Sequence, residues 1–592
     1  MMKIYKALVI GSGAAAYGCA DSLYKEGVKD IAVVTENRLS GTSRNTGSDK
    51  QTYYKISMDG FTADSPYKMA SDMFSGGSCD GEKMYLEALH SQKCFLRLCN
   101  YGVPFPTDSF GGYPGYKTDH DDTVRATSVG PLTSKAMTEK LERVVLNENN
   151  TPLLDGKQVI KILTDGKRAY GVRVLDLKSE KEECIYAENI ICATGAPACI
   201  YEESVYPESQ HGMTGVLIEA GVTMCNFTQW QYGMASVDFR WNVSGSFMQV
   251  IPRFVSVDTD GNEREFLSDY FDDINEAYSF VFLKGYQWPF SYGRVKESSR
   301  IDLAVHSETS KGRRVYLDYR KNPESFDFEK LSDEAKEYIT VTECMEDTPI
   351  ERLRKLNSKA IDVYLRQGID LHTDMLRIAV CAQHNNGGVY TDNHFETDIK
   401  GLYAIGEAAG TFGLSRPGGS ALNDTQVGGY VAAKHIAEKK VQSFEAPSTE
   451  DSMTDFIKDE SIDYSHFRKR MSNAASFRRD YEACTELLEE INVTLESYPK
   501  KHRSLSEYYR DKDMLLSMKA LLEAIILEGP GSGSRGGAIF IINGQIKEEN
   551  TRYRNFLTLT KDDEAEFLKV SPVPYGQKPF EYYLSEINEN KI

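Results

Sequence analysis

Short apolar runs that end in glycine-rich turns occur at two places along the chain. Residues 7–10 form the first run, followed by a glycine-rich turn, a helical pattern over residues 17–26 and another apolar run over residues 30–34. Residues 402–405 form a similar run, which leads into a glycine-rich turn and a helical pattern over residues 420–439. Short apolar runs bounded by turns are typical of buried strands. The pattern therefore predicts two strand–turn–helix units.

The remaining hydrophobic pattern predicts further elements between these units. Apolar positions at helical spacing indicate a helix over residues 83–101. Two runs of strand-forming residues, 158–163 and 170–175, flank a four-residue turn and predict a β-hairpin. A further apolar run predicts a strand over residues 189–193.

The first glycine-rich turn has the spacing of a dinucleotide-binding turn. Gly11 and Gly13 fall where a tight turn and the approach of a pyrophosphate need glycine, and Ala16 takes the third position. Thr35 and Glu36 follow the next strand, where ribose hydroxyls are usually bound. Within a complete strand–turn–helix–strand unit, this motif predicts a dinucleotide cofactor. The residues predicted to contact it here are Gly11, Gly13, Ala14, Ala15, Thr35 and Glu36.

Other small and glycine residues are expected to complete the cofactor site. They lie in the loop after residue 35, at the Ala-Thr-Gly end of the strand at 189–193, and in the second unit. Glycine lets backbone approach a ligand, and the N–H groups at a helix start favour an anionic or carbonyl acceptor. These segments add the predicted contacts Thr42, Ser43, Gly47, Ser48, Ala193, Thr194, Gly195, Gly406, Glu407, Gly419, Ser420, Ala421 and Leu422.

The amino-acid composition and the net charge restrict the kinds of molecule that the protein is expected to bind. The chain has 592 residues and a formal net charge of −19, so we expect several domains that bind neither nucleic acid nor an anionic membrane. No apolar run is long enough to cross a membrane. Eleven cysteines occur without any C-x-x-C pair, which argues against a disulfide framework, a zinc site or an iron–sulfur cluster. We therefore predict a cytoplasmic protein without a metal.

Several motifs together resemble the flavoprotein family of fumarate reductases, succinate dehydrogenases and L-aspartate oxidase. They follow the family order over most of the chain and comprise residues 11–16, 193–195, 212–221, 315–318, 387–392, 401–407, 416–422 and 534–537. The resemblance implies FAD as the cofactor. It also implies an α/β fold with a Rossmann-like FAD-binding domain in two segments, an inserted α+β capping domain and a helical C-terminal region.

The family pattern predicts where these domains begin and end. We expect an FAD-binding domain over residues 1–205 and 366–440, a capping domain over 206–365 and a helical C-terminal region over 441–592. Residues 441–455, which contain serine, proline and acidic side chains, are expected to form a linker. An apolar stripe over residues 515–526 predicts a C-terminal helix that ends at Gly529-Pro530-Gly531.

The resemblance also implies catalytic roles for individual residues. His384 and Arg416 match family residues that bind a substrate carboxylate, and their hydrogen-bonding groups suit a carboxylate or a carbonyl. The arginine that donates a proton in the family falls at about Arg300, with Arg294 as the alternative. The family's flavin-linking histidine has no counterpart near Ser43, so we expect FAD to be bound non-covalently.

One departure from the family concerns substrate specificity. Dicarboxylate enzymes of the family carry a histidine where this chain has Gln231, between Trp230 and Tyr232. A neutral amide brings no charge, and burying an unpaired carboxylate costs several kcal/mol. We therefore expect these three residues to contact a larger substrate with one carboxylate or carbonyl, rather than fumarate or succinate. The alternative is that both aromatic side chains belong to the core of the cap.

Three functions remain open at this point. The first is an FAD-dependent oxidoreductase acting on CH–CH groups, which reduces or desaturates a C–C bond next to a carboxylate or carbonyl. Arg416 and His384 would hold this small-molecule substrate while Arg300 handles a proton. The second is an amine or amino-acid oxidase of the L-aspartate oxidase type, and the third is the flavin subunit of an electron-transfer complex. No haem, iron–sulfur or third dinucleotide motif identifies the electron donor or acceptor.

Overall fold

A five-stranded parallel sheet lies at the centre of the fold, and both predicted strand–turn–helix units contribute to it. The structure, a computed structural model, describes residues 3–118, 121–439, 456–499, 501–574 and 584; the predicted linker at 441–455 lies outside these residues. The strands in spatial order are Leu402–Ala404, Ile190–Cys192, Ala7–Ile10, Ile31–Thr35 and Leu153–Asp155. Every residue of the three inner strands is buried, which explains their continuous apolar runs. The four strands predicted for this sheet are confirmed to within one residue at each end.

Four helices pack around the central sheet. They are Ala14–Lys25, Gly81–Asn100, Thr133–Arg143 and Ser420–Glu438. The first begins three residues earlier than predicted because Gly13 already forms its N-cap. The second begins two residues early because the Asp80 side chain accepts hydrogen bonds from the backbone N–H groups of Glu82 and Lys83, as N-cap residues do.

Two smaller sheets border the central one. The predicted β-hairpin is confirmed within a four-stranded sheet of Ile4–Tyr5, Lys181–Ala187, Ala169–Asp176 and Lys157–Thr164. A three-stranded sheet consists of Thr52–Tyr54, Asp121–Ser128 and Tyr116–Thr118.

A six-stranded sheet, here called the cap sheet, is formed mainly by the segment between the two units. Its strands in spatial order are Trp241–Asn242, Trp230–Ser236, Leu376–Asn385, Arg314–Asp318, Arg253–Val257 and Glu263–Glu265. Its helices are Ser246–Gln249, Ile274–Leu283, Ser299–Ser310, Asp333–Val341 and Pro349–Leu365. These elements share a separate apolar core. The strand Leu376–Asn385 lies in the cap sheet, although the expected domain boundary places residues 366–440 with the FAD-binding segment.

The C-terminal region contains strands as well as helices, so it is not purely helical. The helices are His466–Ala475, Tyr481–Glu496 and Leu505–Ser532. The strands are Ile457–Lys458, Arg478–Asp480, Lys501–His502, Ile539–Ile542, Gln545–Ile546, Phe556–Lys561 and Glu564–Lys569. Phe556–Lys561 pairs with Met224–Cys225, which joins this region to the segment before the cap sheet. In the described part of the chain, no helix is long and apolar enough to cross a membrane.

The predicted helix end at Gly529-Pro530-Gly531 is wrong, because the last helix continues through Pro530 to Ser532. Proline removes one backbone hydrogen bond from a helix, and other contacts offset this loss. Gly529 packs so closely on the Phe540 ring that an added Cβ would lie 2.1 Å from Cε2. The Ser532 hydroxyl donates to the Glu528 carbonyl at 3.1 Å, and Gly533 N–H donates to Gly529 O at 2.9 Å. Tertiary packing therefore keeps the final turn helical.

Candidate active site

A cavity of about 1050 Å³ lies between the central sheet and the cap sheet. Its walls include the N-terminal glycine turn, the second glycine-rich loop and Gln231 of the cap strand Trp230–Ser236. Cavities of this size accommodate cofactors together with small ligands. The two units that are distant in sequence therefore form one site with the inserted segment.

The N-terminal turn lies at the cavity wall, and two of its positions have no space for a side chain. Gly11 has φ +118°, and a Cβ there would lie 2.5 Å from the Ala193 carbonyl oxygen. A Cβ at Gly13 would lie 2.9 Å from the Ser43 hydroxyl oxygen, which accepts a hydrogen bond from Ala14 N at 3.2 Å. Any larger side chain at either position would displace these neighbours. The two glycines therefore let the turn pack closely against Ala193 and Ser43 at the edge of the cavity.

The end of the strand Ile31–Thr35 supplies polar groups to the same cavity. The Thr35 and Ser12 hydroxyl oxygens lie 3.0 Å apart. Glu36 lines the cavity and forms a 2.9 Å ion pair with Arg510 of the last long helix. The C-terminal region thus fixes the position of the carboxylate that was predicted to face a ribose.

Most predicted cofactor residues line this cavity, including residues from both glycine-rich units. Ala14, Gly406 and Ser420 do not line it, but each is adjacent in sequence to a residue that does. The predicted residues in the cavity wall are Gly11, Gly13, Ala15, Thr35, Glu36, Thr42, Ser43, Gly47, Ser48, Ala193, Thr194, Gly195, Glu407, Gly419, Ala421 and Leu422.

Glu407 is the centre of a buried polar cluster beside the second glycine-rich loop. Its Oε1 accepts hydrogen bonds from the Tyr206 hydroxyl and from Asn385 N, the latter at 3.0 Å. Burial raises the pKa of Glu407 to about 7, so this carboxyl takes up a proton far more readily than an exposed one. Nε2 of His384 lies 3.7 Å from Oε1 of Glu407. A titrating carboxyl and an imidazole thus meet at the cavity wall.

His384 is neutral, and its tautomer is defined by its neighbour. Burial, and then the positive charge of Arg416, lower the pKa of His384 well below its ordinary value. Nδ1 lies 3.1 Å from Oδ1 of Asn386. Because an amide oxygen only accepts hydrogen bonds, Nδ1 carries the proton and Nε2 is an acceptor.

Phe412 contacts both residues that were predicted to bind substrate. Its ring packs edge-on against the His384 ring with centroids 4.9 Å apart. The Arg416 guanidinium carbon lies 5.5 Å from the centroid of the same ring. Arg416 and His384 both line the cavity, so one buried aromatic side chain positions the two groups together.

A β-bulge decides which side chains of the cap sheet face the cavity. Gln231 is opposite His384 on the neighbouring strand, whereas Tyr232 is opposite Ala382, which leaves Gln383 as an extra residue. A bulge re-aims side chains locally, and Gln383, His384 and Gln231 all line the cavity.

The substrate contacts predicted for Trp230 and Tyr232 are not found in the cavity wall. Successive residues of a strand point to opposite faces, and both side chains lie on the face opposite Gln231. They are 2% and 1% exposed and pack around Tyr201 and Phe477. Both aromatic residues therefore belong to the main core around the central sheet, and not to the core of the cap that the alternative expectation named. The tyrosine and tryptophan residues of segment 206–365 in the cavity wall are Tyr206, Tyr286, Trp288 and Tyr338.

Arg300 does not line the cavity, whereas Arg294 does. The Arg300 guanidinium is held elsewhere by a 3.3 Å ion pair with Glu276, a hydrogen bond to Tyr270 O and the ring of Phe271. Nη1 of Arg294 is buried and has no hydrogen-bond partner among the described residues. The alternative arginine, rather than the first choice, is thus the one at the site.

Sequence reasoning missed several polar residues of the cavity. Gln210 links two predicted segments, since its Nε2 donates to Thr194 O at 2.5 Å and its Oε1 accepts from Thr42 N at 3.2 Å. Its neighbour His211 also lines the cavity, and burial lowers its pKa to about 3. The sequence feature that could have identified these two residues is their position directly before residues 212–221, which match the family pattern. No comparable sequence motif indicated the other missed residues, which are Tyr206, Asp49, Gln249 and Tyr338.

Comparison with known proteins decides the family. Residues 6–422 match the family model described as "FAD binding domain". The chain belongs to this family. Such an FAD-binding protein fits the cavity seen here, because both glycine-rich units line it and Thr35 and Glu36 offer ribose partners at its wall. FAD is therefore its cofactor.

Individual proteins that are similar to this chain indicate which kinds of FAD-binding enzyme it is related to. L-aspartate oxidase from Yersinia pestis is 22% identical over 542 residues, which cover 87% of this chain and 91% of that relative. A polypeptide of the fumarate reductase (CoM/CoB) from Methanothermobacter marburgensis is 22% identical over 484 residues, covering 79% of this chain and 80% of that relative. A solved quinol–fumarate reductase with menaquinol molecules shares the fold, with a TM-score of 0.72 at 16% identity over 98% of this chain and 100% of that chain. The protein is an FAD-dependent oxidoreductase of the fumarate reductase and L-aspartate oxidase family.

Proposed function

We propose that this oxidoreductase adds or removes hydrogen across a C–C bond next to a carboxylate or carbonyl. The convergence of Arg416 and His384 on the cavity that also contains the dinucleotide turn carries this proposal. FAD, when bound, supplies hydride exchange. The chain itself has to hold the substrate, polarise the bond, handle a proton and exclude water.

Arg416 is the group best suited to hold the substrate. Its guanidinium remains charged at all relevant pH values and can form two parallel hydrogen bonds to a carboxylate. Arg416 lies beside the Phe412 ring, and the nearby His384 ring is neutral. Arg416 therefore supplies the positive charge that would pair with a substrate carboxylate at this end of the cavity. A carboxylate or carbonyl bound there would draw electron density from an adjacent double bond, which favours addition of hydride at the far carbon.

Arg294 is the proposed proton donor. Arg294 lines the cavity, and its buried Nη1 has no hydrogen-bond partner among the described residues, so no hydrogen bond of Nη1 to this part of the protein fixes the guanidinium away from a substrate. Arg300, by contrast, is bound to Glu276 and Tyr270 on the cap. In this proposal, Arg294 takes the proton-donor role that the family pattern assigned to Arg300.

The variants Arg294→Gln and Arg300→Gln separate these two arginines. We expect Arg294→Gln to lower kcat for enoate reduction by about 10²- to 10⁴-fold, the range of a lost general acid. Arg300→Gln, the matched control, should stay within about threefold of the wild type because it removes only contacts on the cap surface. Stopped-flow reoxidation of the photoreduced enzyme measures both. A large loss in Arg300→Gln with none in Arg294→Gln would restore the family assignment.

A second candidate function, oxidation of an amine or amino acid, is favoured by the neutral Nε2 acceptor of His384 and by the L-aspartate oxidase relatives. Mixing photoreduced enzyme with O₂ and, separately, with a panel of α,β-unsaturated acids and ketones distinguishes the two. We expect enoates or enones to reoxidise the enzyme faster than O₂ does. Rapid peroxide formation with no reoxidation by the panel would favour the oxidase.

We also expect FAD to be bound non-covalently. Thr42 and Ser43 line the cavity in the region where family members carry the linking histidine, and neither side chain forms a stable bond to a flavin ring. Acid precipitation of the purified protein should release the yellow chromophore into the supernatant. Colour that remains with the pellet would contradict this expectation.

A further inference from the structure

A fully buried ion pair lies behind the cavity wall in the cap. Nζ of Lys284 is 2.8 Å from Oδ2 of Asp302, and both side chains are 0% exposed. Neither residue lines the cavity. Among the described residues, no other side chain bonds to the Asp302 carboxyl. Taking two charges out of water is costly, and a well-packed apolar pair often gives equal or greater stability. Stability alone therefore does not account for this pair.

The ammonium group of Lys284 organises the chain segment that follows it. Besides its contact with Asp302, Nζ donates to Gln287 O at 2.9 Å and to Pro289 O at 3.5 Å. An ammonium group has three donors and no acceptor, so these three acceptors match its donors. The two carbonyl groups belong to a segment of which residues 285–288 all line the cavity. One buried cation thus fixes the backbone of this part of the cavity wall.

The ion pair also joins two helices of the cap. Lys284 is the C-cap of the helix Ile274–Leu283, and Asp302 lies in the first turn of the helix Ser299–Ser310. The chain between them, residues 285–298, is here called the wall loop. Because its two ends are held together by the ion pair, the contact between Lys284 and Asp302 closes the base of the wall loop.

The wall loop carries much of the cavity surface that the cap contributes. Arg294 and residues 285–288 all line the cavity. The loop contains one short 3₁₀ turn, Tyr292–Arg294, and one isolated bridge. Within it, the Ser298 hydroxyl donates to Oε1 of Gln287 at 2.8 Å. With so little regular structure, the loop depends on contacts at its base for its position, and so does Arg294.

We propose that Lys284 and Asp302 are positioning residues, which hold the wall loop and Arg294 in place against a substrate bound at Arg416. The roles of Arg294 and Arg416 in this inference rest on the proposed function. Buried charges that need one exact geometry specify a single arrangement of the loop, whereas an apolar pair tolerates several. Since Arg416 lies on the second glycine-rich loop, outside the wall loop, the ion pair affects turnover more than substrate binding.

The double variant Lys284→Met/Asp302→Leu tests this proposal. Removing one partner alone leaves a buried, unpaired charge and destabilises the fold, whereas the double variant replaces both charges by apolar side chains. We expect normal flavin content and a Tm within about 4 °C of the wild type. For reoxidation of the photoreduced enzyme by crotonate, kcat should fall about 10- to 100-fold because the reacting groups are misplaced. KM should change by less than about threefold.

Hydrogen exchange follows the wall loop without any substrate. In the FAD-bound enzyme, mass spectrometry should show the bonded amides of this loop exchanging at least about tenfold faster in the double variant, with the rest of the cap unchanged. Two amides report on the loop most directly. Phe290 N donates to Tyr232 O at 2.6 Å, and Tyr292 N donates to Gly536 O at 2.9 Å.

Arg253→Met/Asp318→Leu is the matched control. This ion pair joins two strands of the cap sheet at 2.5 Å and is nearly as buried, but neither residue lines the cavity. Its replacement should leave kcat and wall-loop exchange within about twofold of the wild type, because distant sites act independently.

Several results would overturn the proposal. They are wild-type exchange of the wall loop in the Lys284/Asp302 double variant, faster exchange with unchanged kcat, and an equal loss of kcat in the control. A large fall in Tm would assign the pair to general stability instead. If crotonate does not reoxidise the wild type, the proposed function is contradicted, and the exchange rates then decide by themselves whether the pair positions the loop.

Discussion

Gly13→Asp should abolish FAD binding. A Cβ at this position already comes within 2.9 Å of the Ser43 hydroxyl, and the added carboxylate would occupy the space where the turn admits a pyrophosphate. Two anions at one helix N-terminus repel each other, whereas the N–H groups there favour a single one. We expect the purified variant to be colourless, with less than about 1% of the wild-type flavin, since several kcal/mol of repulsion correspond to more than a hundredfold in affinity.

Gly27→Asp is the matched control for this variant. Gly27 follows the other end of the same helix, Ala14–Lys25, and nothing lies within 4 Å of an added Cβ. Its φ of +89° makes the substitution cost about 1 kcal/mol, which lowers stability but leaves the turn intact. Flavin absorbance per protein measures both variants. Normal flavin content in Gly13→Asp would mean that the N-terminal turn does not hold the pyrophosphate.

Arg416→Ala should remove most of the enzymatic activity while FAD stays bound. A substrate carboxylate left in the cavity without its guanidinium partner costs roughly 3–5 kcal/mol, about 10²- to 10⁴-fold in kcat/KM. Arg416→Lys keeps the charge but not the planar fork, so it should recover part of this loss. Steady-state reduction of a monocarboxylic enoate, with flavin content and Tm measured alongside, gives the comparison.

The control for Arg416→Ala is Arg377→Ala on the cap sheet. Arg377 is exposed and pairs with Asp238 at 3.2 Å, so its removal should change neither activity nor flavin content beyond about twofold. Equal activity of Arg416→Ala and the wild type, with enoates as substrates, would contradict the anchoring role. A colourless Arg416→Ala variant would instead show that the side chain supports the cofactor.

The amino-acid sequence by itself determined the cofactor unit and its neighbours. Strands such as Ala7–Ile10 are buried on both faces, so their local sequence is apolar throughout and readable without partners. The glycines of the first turn are also readable, because only that spacing permits a tight turn next to a helix start. Arg416 and His384 were found through the resemblance, since Arg416 begins one matching segment and His384 lies three residues before another.

The tertiary structure alone decided which cap residues meet the substrate. Trp230, Gln231 and Tyr232 are adjacent in sequence, and only strand alternation together with the bulge at Gln383 places Gln231 in the cavity and the aromatic pair in the core. Arg294 and Arg300 are six positions apart, and the contacts of Arg300 with Glu276 and Phe271 decide that Arg294 is the one left at the cavity. Pro530 remains helical for the same kind of reason, since packing on Phe540 outweighs a local signal. Each of these outcomes depends on partners far away in sequence, which periodicity and spacing along the chain do not report.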